Sequence, residues 1–476
     1  MVRALGVAYR RAGGWRRFGG LAALLAGVLL GGCSLAPDRP LPDVLTADRY
    51  AHAPEGQWLP ADSVAERAPQ RWWTSFQDAG LDRLMGRLAD GSPDLAQAEA
   101  RYREATADLR AARAGFFPTV SAQGSMSRAG QGGGGPDNPA NSYSLSGSVQ
   151  WEADLWGRVR GSVAAAQAGE RASAADLQGV RLSLQSTLAQ AWFGLISARR
   201  QEHLLDQTLA EYEKALQMTR NRQQAGVASP ADVAASRAQL EQARAQRIRL
   251  AWQTEQQVHA LAVLVGDVPG DFEAQLALPE ALPAVPQVPV GVPSVLLLQR
   301  PDIAAARERV AQANARIGVS RAAWFPDLTL GLQGGFRAAE LATWLTAPAR
   351  FWSLGPALAL TLFDGGARSA ATAAAEAAYD VQAAAWRQTV LESLREVEDA
   401  LVQSQALVDE QQARERALAA ARETLRLVTD QYRAGLVDYL NVVQAQASAL
   451  SAEQAALDLH LERLTAAVRL RVAQGV

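Results

Sequence analysis

Three stretches of the chain alternate apolar and polar residues with period two. Tyr143, Leu145, Gly147, Val149 and Trp151 alternate with Ser142, Ser144, Ser146, Ser148 and Gln150. Leu328, Leu330, Leu332 and Phe336 alternate with Thr329, Gly331 and Gln333. Trp352, Leu354, Leu358, Leu360 and Leu362 alternate with Ser353, Gly355, Ala359 and Thr361. Residues 119–128 form a weaker fourth. Such patterning predicts strands with one apolar and one polar face. Each runs about 9–11 residues, the length of a tilted membrane-spanning strand. Tyr143, Trp151, Phe336 and Trp352 stand near strand ends, as an interfacial aromatic girdle requires. A soluble half-buried sheet explains any one strand; it explains four of spanning length less well.

Between the strand pairs the apolar positions step by three and four. Leu184, Leu188, Ala191, Leu195 and Ala198 do so, as do Leu205, Leu209, Tyr212 and Leu216. In the second half Val390, Leu394, Val397 and Leu401 repeat the spacing, followed by Leu418, Ala421, Leu425, Val428 and Tyr432. Heptad spacing predicts long packed helices that supercoil. No proline interrupts residues 140–229 or follows Pro356. One helix across 157–225 would be ~100 Å long. Partner helices are predicted to return from Pro230 and Asp438, so Gly226 and Gly435 mark hairpin turns with left-handed backbone.

The two halves are duplicates. Ala/Arg-rich helical segments beginning at Arg101 and Arg307 end at Phe117-Pro118 and Phe325-Pro326, where proline stops the helix. Asp154-Leu155-Trp156-Gly157-Arg158 parallels Leu362-Phe363-Asp364-Gly365-Gly366, and Ala225-Gly226 parallels Ala434-Gly435. All three offsets fall near 208 residues, which argues for two structural repeats. The expected organisation is a signal peptide at 1–32, a tether at 33–80, a first repeat at 81–270, an equatorial linker at 271–300 and a second repeat at 301–476.

The N-terminus places the chain. Arg10, Arg11, Arg16 and Arg17 precede an apolar run at 21–30 and Gly31-Gly32-Cys33. A charged region, a short apolar run and small residues describe a secretory signal, too short to span as a helix. Cys33 is the only cysteine, so no intramolecular disulfide framework exists. Leu30-Gly31-Gly32-Cys33 resembles a bacterial lipobox, which implies a covalent lipid on Cys33 after cleavage. Ser34 follows rather than the aspartate that retains many lipoproteins at the inner membrane, which favours the outer membrane. Cleavage removes five arginines and no acid, taking the net charge from −2 to near −7.

Four strands cannot close a barrel, and an open sheet edge in lipid leaves backbone groups unpaired at several kcal/mol each. Chains must therefore pool strands. Two chains give eight, with an interior filled by side chains; three give twelve and begin to leave a lumen. Other classes fit less well. No basic patch interleaved with aromatics speaks for nucleic acid. The histidines, His52, His203, His259 and His460, are scattered, and no metal-spaced cluster, nucleophile elbow or phosphate loop is evident. The expectation is therefore no enzyme and, besides the lipid on Cys33, no cofactor.

At these landmarks the sequence resembles a family. Arg71-Trp72-Trp73 through Pro118, Arg300-Pro301-Asp302-Ile303 through Phe325-Pro326, the Phe363-Asp364-Gly365-Gly366 turn and the Tyr432-Arg433-Ala434-Gly435 tip are similar to the outer-membrane factor family of TolC and OprM type, in its NodT-like lipoprotein branch. The resemblance implies an α+β membrane protein with a duplicated strand-helix repeat, four transmembrane strands and long antiparallel helical hairpins. It also implies closure as a homotrimer with a twelve-stranded β-barrel and a twelve-helix periplasmic α-barrel. The implied function is the passive exit duct of a tripartite efflux system, opened by movement of the helix tips. The implied partners are a periplasmic adaptor (membrane fusion) protein and a resistance-nodulation-division transporter, besides outer-membrane lipid. A duct for type I protein secretion and a periplasmic coiled-coil scaffold are the alternatives.

The resemblance also assigns the periplasmic aperture. Tyr432 and Asp232 match a tip tyrosine and aspartate that hold neighbouring helices closed. Asp232 also stands where a cap on the helix at Pro230 belongs, and Tyr432 where a packed residue belongs; the roles are compatible. Two aspartates that form an acidic ring in some members are Asn441 and Gln444 here, so an acidic constriction is not expected at those positions. Asp438 can still contribute charge. A family tip arginine is Val437 here, so an arginine latch is not expected.

Overall fold

The structure, a computed structural model, describes residues 35–41, 50–52, 58–59, 71–130, 139–272, 276, 278–279, 281–288, 290–291 and 299–475. The signal segment and Cys33 lie outside the described residues. The main elements are α1 (Ala79–Gly91), α2 (Pro93–Ala114), β1 (Thr119–Ala129), β2 (Ala140–Ala153), α3 (Arg158–Gln224), α4 (Pro230–Val265), α5 (Pro301–Ala322), β3 (Asp327–Ala338), β4 (Arg350–Ala359), α6 (Ala367–Arg433) and α7 (Tyr439–Ala473). The order helix-strand-strand-long helix-returning helix occurs twice. Both long helices, α3 and α6, have 67 residues.

The chain divides into two compact units. Of the described residues, those within Met1–Pro42, Glu104–Arg171 and Arg307–Ala385 form one; those within Asp43–Arg103, Ala172–Ala306 and Trp386–Val476 form the other.

In the first unit the four strands form one antiparallel sheet in the order β1-β2-β3-β4, with β1 and β4 at its edges. Register aligns Val120, Val149, Leu332 and Leu354 in one row, and Ala122, Gly147, Gly334 and Trp352 in the next. Met126, Tyr143, Leu145, Trp151, Leu330, Phe336 and Leu358 share that face. Much of that face is bare: Val120 is 74% exposed, Trp352 79% and Leu354 69%. The opposite face carries Ser121, Ser125, Ser144, Ser148, Gln333 and Ser353. Ser121 bonds Ser148 and Ser125 bonds Ser144, each at 2.8 Å. Gly335 is required where the strands approach closely, because a Cβ there would collide with the Leu145 carbonyl oxygen.

β4 is shorter than its alternation predicts. It ends at Ala359, so Leu360 and Leu362 lie beyond it. Its partner β3 begins at Asp327, and Pro326 before it has no N–H with which to extend the ladder. Leu362 and the adjoining Phe363 are 87% and 88% exposed.

The strand-to-helix turns explain the Asp-Gly repeat. Gly157, Gly365 and Gly366 all have positive φ. The Asp154 carboxylate accepts from Val159 N at 3.0 Å and Arg160 N at 2.9 Å, satisfying the free N–H groups at the start of α3. Asp364 does the same for α6, accepting from Gly366 N at 3.0 Å and Arg368 N at 3.2 Å, and pairs with the Arg368 side chain at 2.6 Å. The Arg368 bond holds the Asp364 carboxyl below its ordinary pKa. Across the repeats, Trp156 stacks on Phe325 at 4.7 Å and donates to Pro326 O at 2.8 Å.

The second unit holds the main core. Trp72, Trp73, Phe76, Leu81, Leu188, Trp192, Phe193, Leu261, Phe272, Val397, Leu464 and Val468 are buried in one cluster. Leu188, Leu195, Leu205, Val390 and Val397 are completely buried, as the heptads require. Further along α6, Leu418, Leu425 and Val428 are only half-buried within the single chain.

Candidate functional site

The hairpin tips lie in the second unit, and their two turns are built alike. Gly226 (φ 77°) donates to Gln223 O at 2.9 Å, and Val227 N donates to Arg222 O at 2.8 Å. Gly435 (φ 76°) donates to Tyr432 O at 3.0 Å, and Leu436 N donates to Gln431 O at 2.9 Å. Both glycines therefore end a helix in left-handed geometry, as expected. The residue after each glycine is apolar and projects into solvent: Val227 is 65% exposed and Leu436 75%.

Asp232 sits three residues into its hairpin's return. Its N–H donates to Ser229 Oγ at 3.1 Å, and its carboxylate accepts from Ser229 N at 2.9 Å. This reciprocal pair is a capping box at the start of α4. Tyr432 is 5% exposed, and among the described residues its hydroxyl has no hydrogen-bond partner. Within the chain, then, Asp232 and Tyr432 do not bond each other.

A different pair of contacts joins the two hairpins. Arg222, in the last turn of α3, lies over the Tyr432 ring at 4.5 Å. It also donates from Nη1 to Tyr432 O at 3.1 Å. The charge sits at the C-terminal end of both long helices, where a cation is favoured. Tyr432 packs against Tyr439 at 5.3 Å, and Tyr439 donates to the buried Ser236 hydroxyl of α4 at 3.1 Å. Burial pushes the Tyr439 hydroxyl above its ordinary pKa, so it remains a neutral donor. Val437, at the position of the family's tip arginine, packs half-buried against this tyrosine pair. The arginine that covers Tyr432 thus arrives from the first repeat.

Asp438 is the N-cap of α7, and its side chain makes no cap bond. Asp438, Asn441 and Gln444 recur at three-residue spacing and are all exposed. Beside the turns lies a cleft of about 860 Å³, lined by Lys214, Met218, Arg222, Val227, Arg433 and Gly435 among others. The sequence reading missed Arg222, Ser236, Tyr439 and the paired apolar tips. Only the last left a local signal, an apolar residue after each turn glycine.

A sheet with one bare apolar face, followed in each repeat by a long helical hairpin, is the architecture of an outer-membrane channel protein. The model of the outer membrane efflux protein family matches residues 84–267 and again 292–476. The chain is 33% identical over 466 residues to outer membrane protein OprJ of Pseudomonas aeruginosa, covering 96% of this chain and 95% of that one. It is 31% identical over 462 residues to the probable efflux pump outer membrane protein TtgC of Pseudomonas putida, with the same two shares. The solved outer-membrane channel OprN superposes with a TM-score of 0.83 at 29% identity, covering 93% of this chain and 99% of that one. The chain belongs to the outer membrane efflux protein family, whose members are channels rather than enzymes, and it acts as an outer-membrane component of efflux.

Proposed function

We propose that three copies of the chain close a twelve-stranded barrel and a twelve-helix periplasmic tunnel, forming the passive exit duct of a tripartite efflux system. The observation that carries this reading is the sheet. It has a bare apolar face suited to lipid, a serine-lined face suited to a wet lumen, and two unpaired edges. Edges of that kind are tolerated in lipid only when neighbouring chains pair them. The half-buried heptad positions of α6 are correspondingly available to a neighbouring chain.

A lipid on Cys33 fits the path of the residues that follow it. Pro37 O accepts from Asn314 at 3.0 Å and Pro40 O accepts from Tyr379 at 3.1 Å. Arg39 covers the Tyr379 ring at 5.2 Å and pairs with Glu376 at 3.5 Å. Ala36 lies so close to Gly318 that a Cβ there would be 2.8 Å from its nitrogen. Ala36 is the third residue after Cys33, so the two lie at most about 11 Å apart at full extension. The lipid is therefore delivered beside the end of α5 that leads into β3.

The tips form the periplasmic aperture and the docking point for an adaptor protein, which joins the duct to a resistance-nodulation-division transporter. Asp438, Asn441 and Gln444 line the entrance and leave it weakly acidic. Tyr432 and Asp232 stand at the helix junction there. Val227 and Leu436 are the apolar knobs that an adaptor covers. In a host lacking its own outer-membrane efflux component, the chain with its adaptor and transporter restores drug resistance. V227D/L436D reaches the outer membrane in normal amount but returns the host to full sensitivity. Resistance retained by that variant removes the tips from docking; no resistance with the parent chain removes the efflux reading.

A further inference from the structure

Strand register places two arginines on the apolar face of the sheet, both at the end remote from the helices. Arg128 is in phase with Val120, Ala122, Gly124 and Met126 in β1. Arg350 opens β4, in phase with Trp352, Leu354 and Leu358, and pairs in register with Phe336. Both are exposed. Among the described residues neither side chain has an ion pair, a hydrogen bond or a ring contact. At the helix end of the same sheet, by contrast, Arg160 pairs with Asp154 at 3.0 Å and Arg368 with Asp364 at 2.6 Å. Arg337, the third arginine at the remote end, lies on the polar face and covers Phe351 at 5.0 Å. Tyr143 and Trp344, 6.2 Å apart, add aromatic surface at the same end.

An arginine on a lipid-facing surface is costly unless it reaches the interface and finds a counter-charge. Among the described residues no carboxylate supplies one to either side chain. A phosphate does so well, because the guanidinium fork binds two of its oxygens at once. The apolar rows below the arginines match acyl chains, so the complementary molecule is an amphiphile with an anionic head. Arg128 and Arg350 stand on the two edge strands. When β4 of one chain pairs with β1 of the next, they flank a single seam.

We propose that Arg128 and Arg350 bind the phosphate groups of an anionic lipid of the outer leaflet, one site at each seam between protomers. The inference rests on the ring closure proposed above. Native mass spectrometry of the intact lipoprotein in mixed micelles tests it, with bisphosphoryl lipid A, the same lipid stripped of phosphate, and inorganic phosphate as probes. The phosphorylated lipid is retained on the trimer about tenfold better than the stripped one, as two charge-assisted contacts require. R128Q/R350Q forms the same trimer and loses that preference; R128K/R350K keeps part of it. Inorganic phosphate, which lacks chains to lie on the apolar face, does not displace the lipid. A trimer that retains both lipids equally, a preference that survives R128Q/R350Q, or displacement by inorganic phosphate overturns the lipid site alone. Spectra without a trimer overturn the ring closure and the site together.

Discussion

Planar bilayers carrying the Arg222→Ala protein are expected to pass far more current at low voltage than bilayers carrying the parent chain. Among the described residues, Arg222 is the side chain that holds Tyr432 by both ring and backbone. A partly desolvated cation–π contact is worth up to about 2 kcal/mol, and a hydrogen bond from a charged donor about 1.5 kcal/mol or more. Loss of even 2 kcal/mol shifts a closed–open equilibrium about thirtyfold toward the open state. Arg222→Lys keeps the charge but not the planar fork, so its current falls between the two. Tyr432→Phe should matter less, since the hydroxyl it removes has no partner among the described residues. Single-channel recording orders the variants. An Arg222→Ala current equal to the parent's would show that this contact does not hold the tip closed.

Arg300→Ala is expected to lower stability by about 2 kcal/mol, visible as a fall of about two degrees in detergent melting temperature. Arg300 is 9% exposed. It meets the Asp302 carboxylate with two bonds, at 3.0 and 2.7 Å, and Glu396 at 2.8 Å. It also donates to Ala473 O, at the end of α7, at 2.9 Å. Burial alone would lower its pKa, but Asp302 and Glu396 together hold it above the ordinary arginine value. Alanine leaves a buried carbonyl and two carboxylates without their donor. Asp302 and Glu396 are nearly half exposed, so water recovers part of the loss and the estimate stays below that for a fully buried pair. Arg300→Lys rescues only part, because one ammonium cannot serve all three acceptors. A melting temperature within a degree of the parent's would show that the C-terminal helix is held by its apolar contacts alone.

Periodicity exposed what is local or repeated. Leu188, Leu195, Val390 and Val397 were legible as core because heptad spacing is set by the helix itself. Gly226 and Gly435 were legible as turns because only glycine takes left-handed backbone without strain. The sheet's two faces followed from alternation, although the end of β4 did not, since Pro326, just before the partner strand, fixes it. The tip was harder. Asp232 is claimed by Ser229, three residues away, before any distant partner can compete. Arg222 meets Tyr432 across 210 residues of sequence, and no spacing within either repeat points from one to the other.

The mass of the purified mature protein in mild detergent, measured by light scattering or native mass spectrometry, tests ring closure most directly. Four strands per chain and a twelve-stranded barrel require a particle of three chains, stable without adaptor or transporter. A monomer or a dimer under those conditions would contradict it.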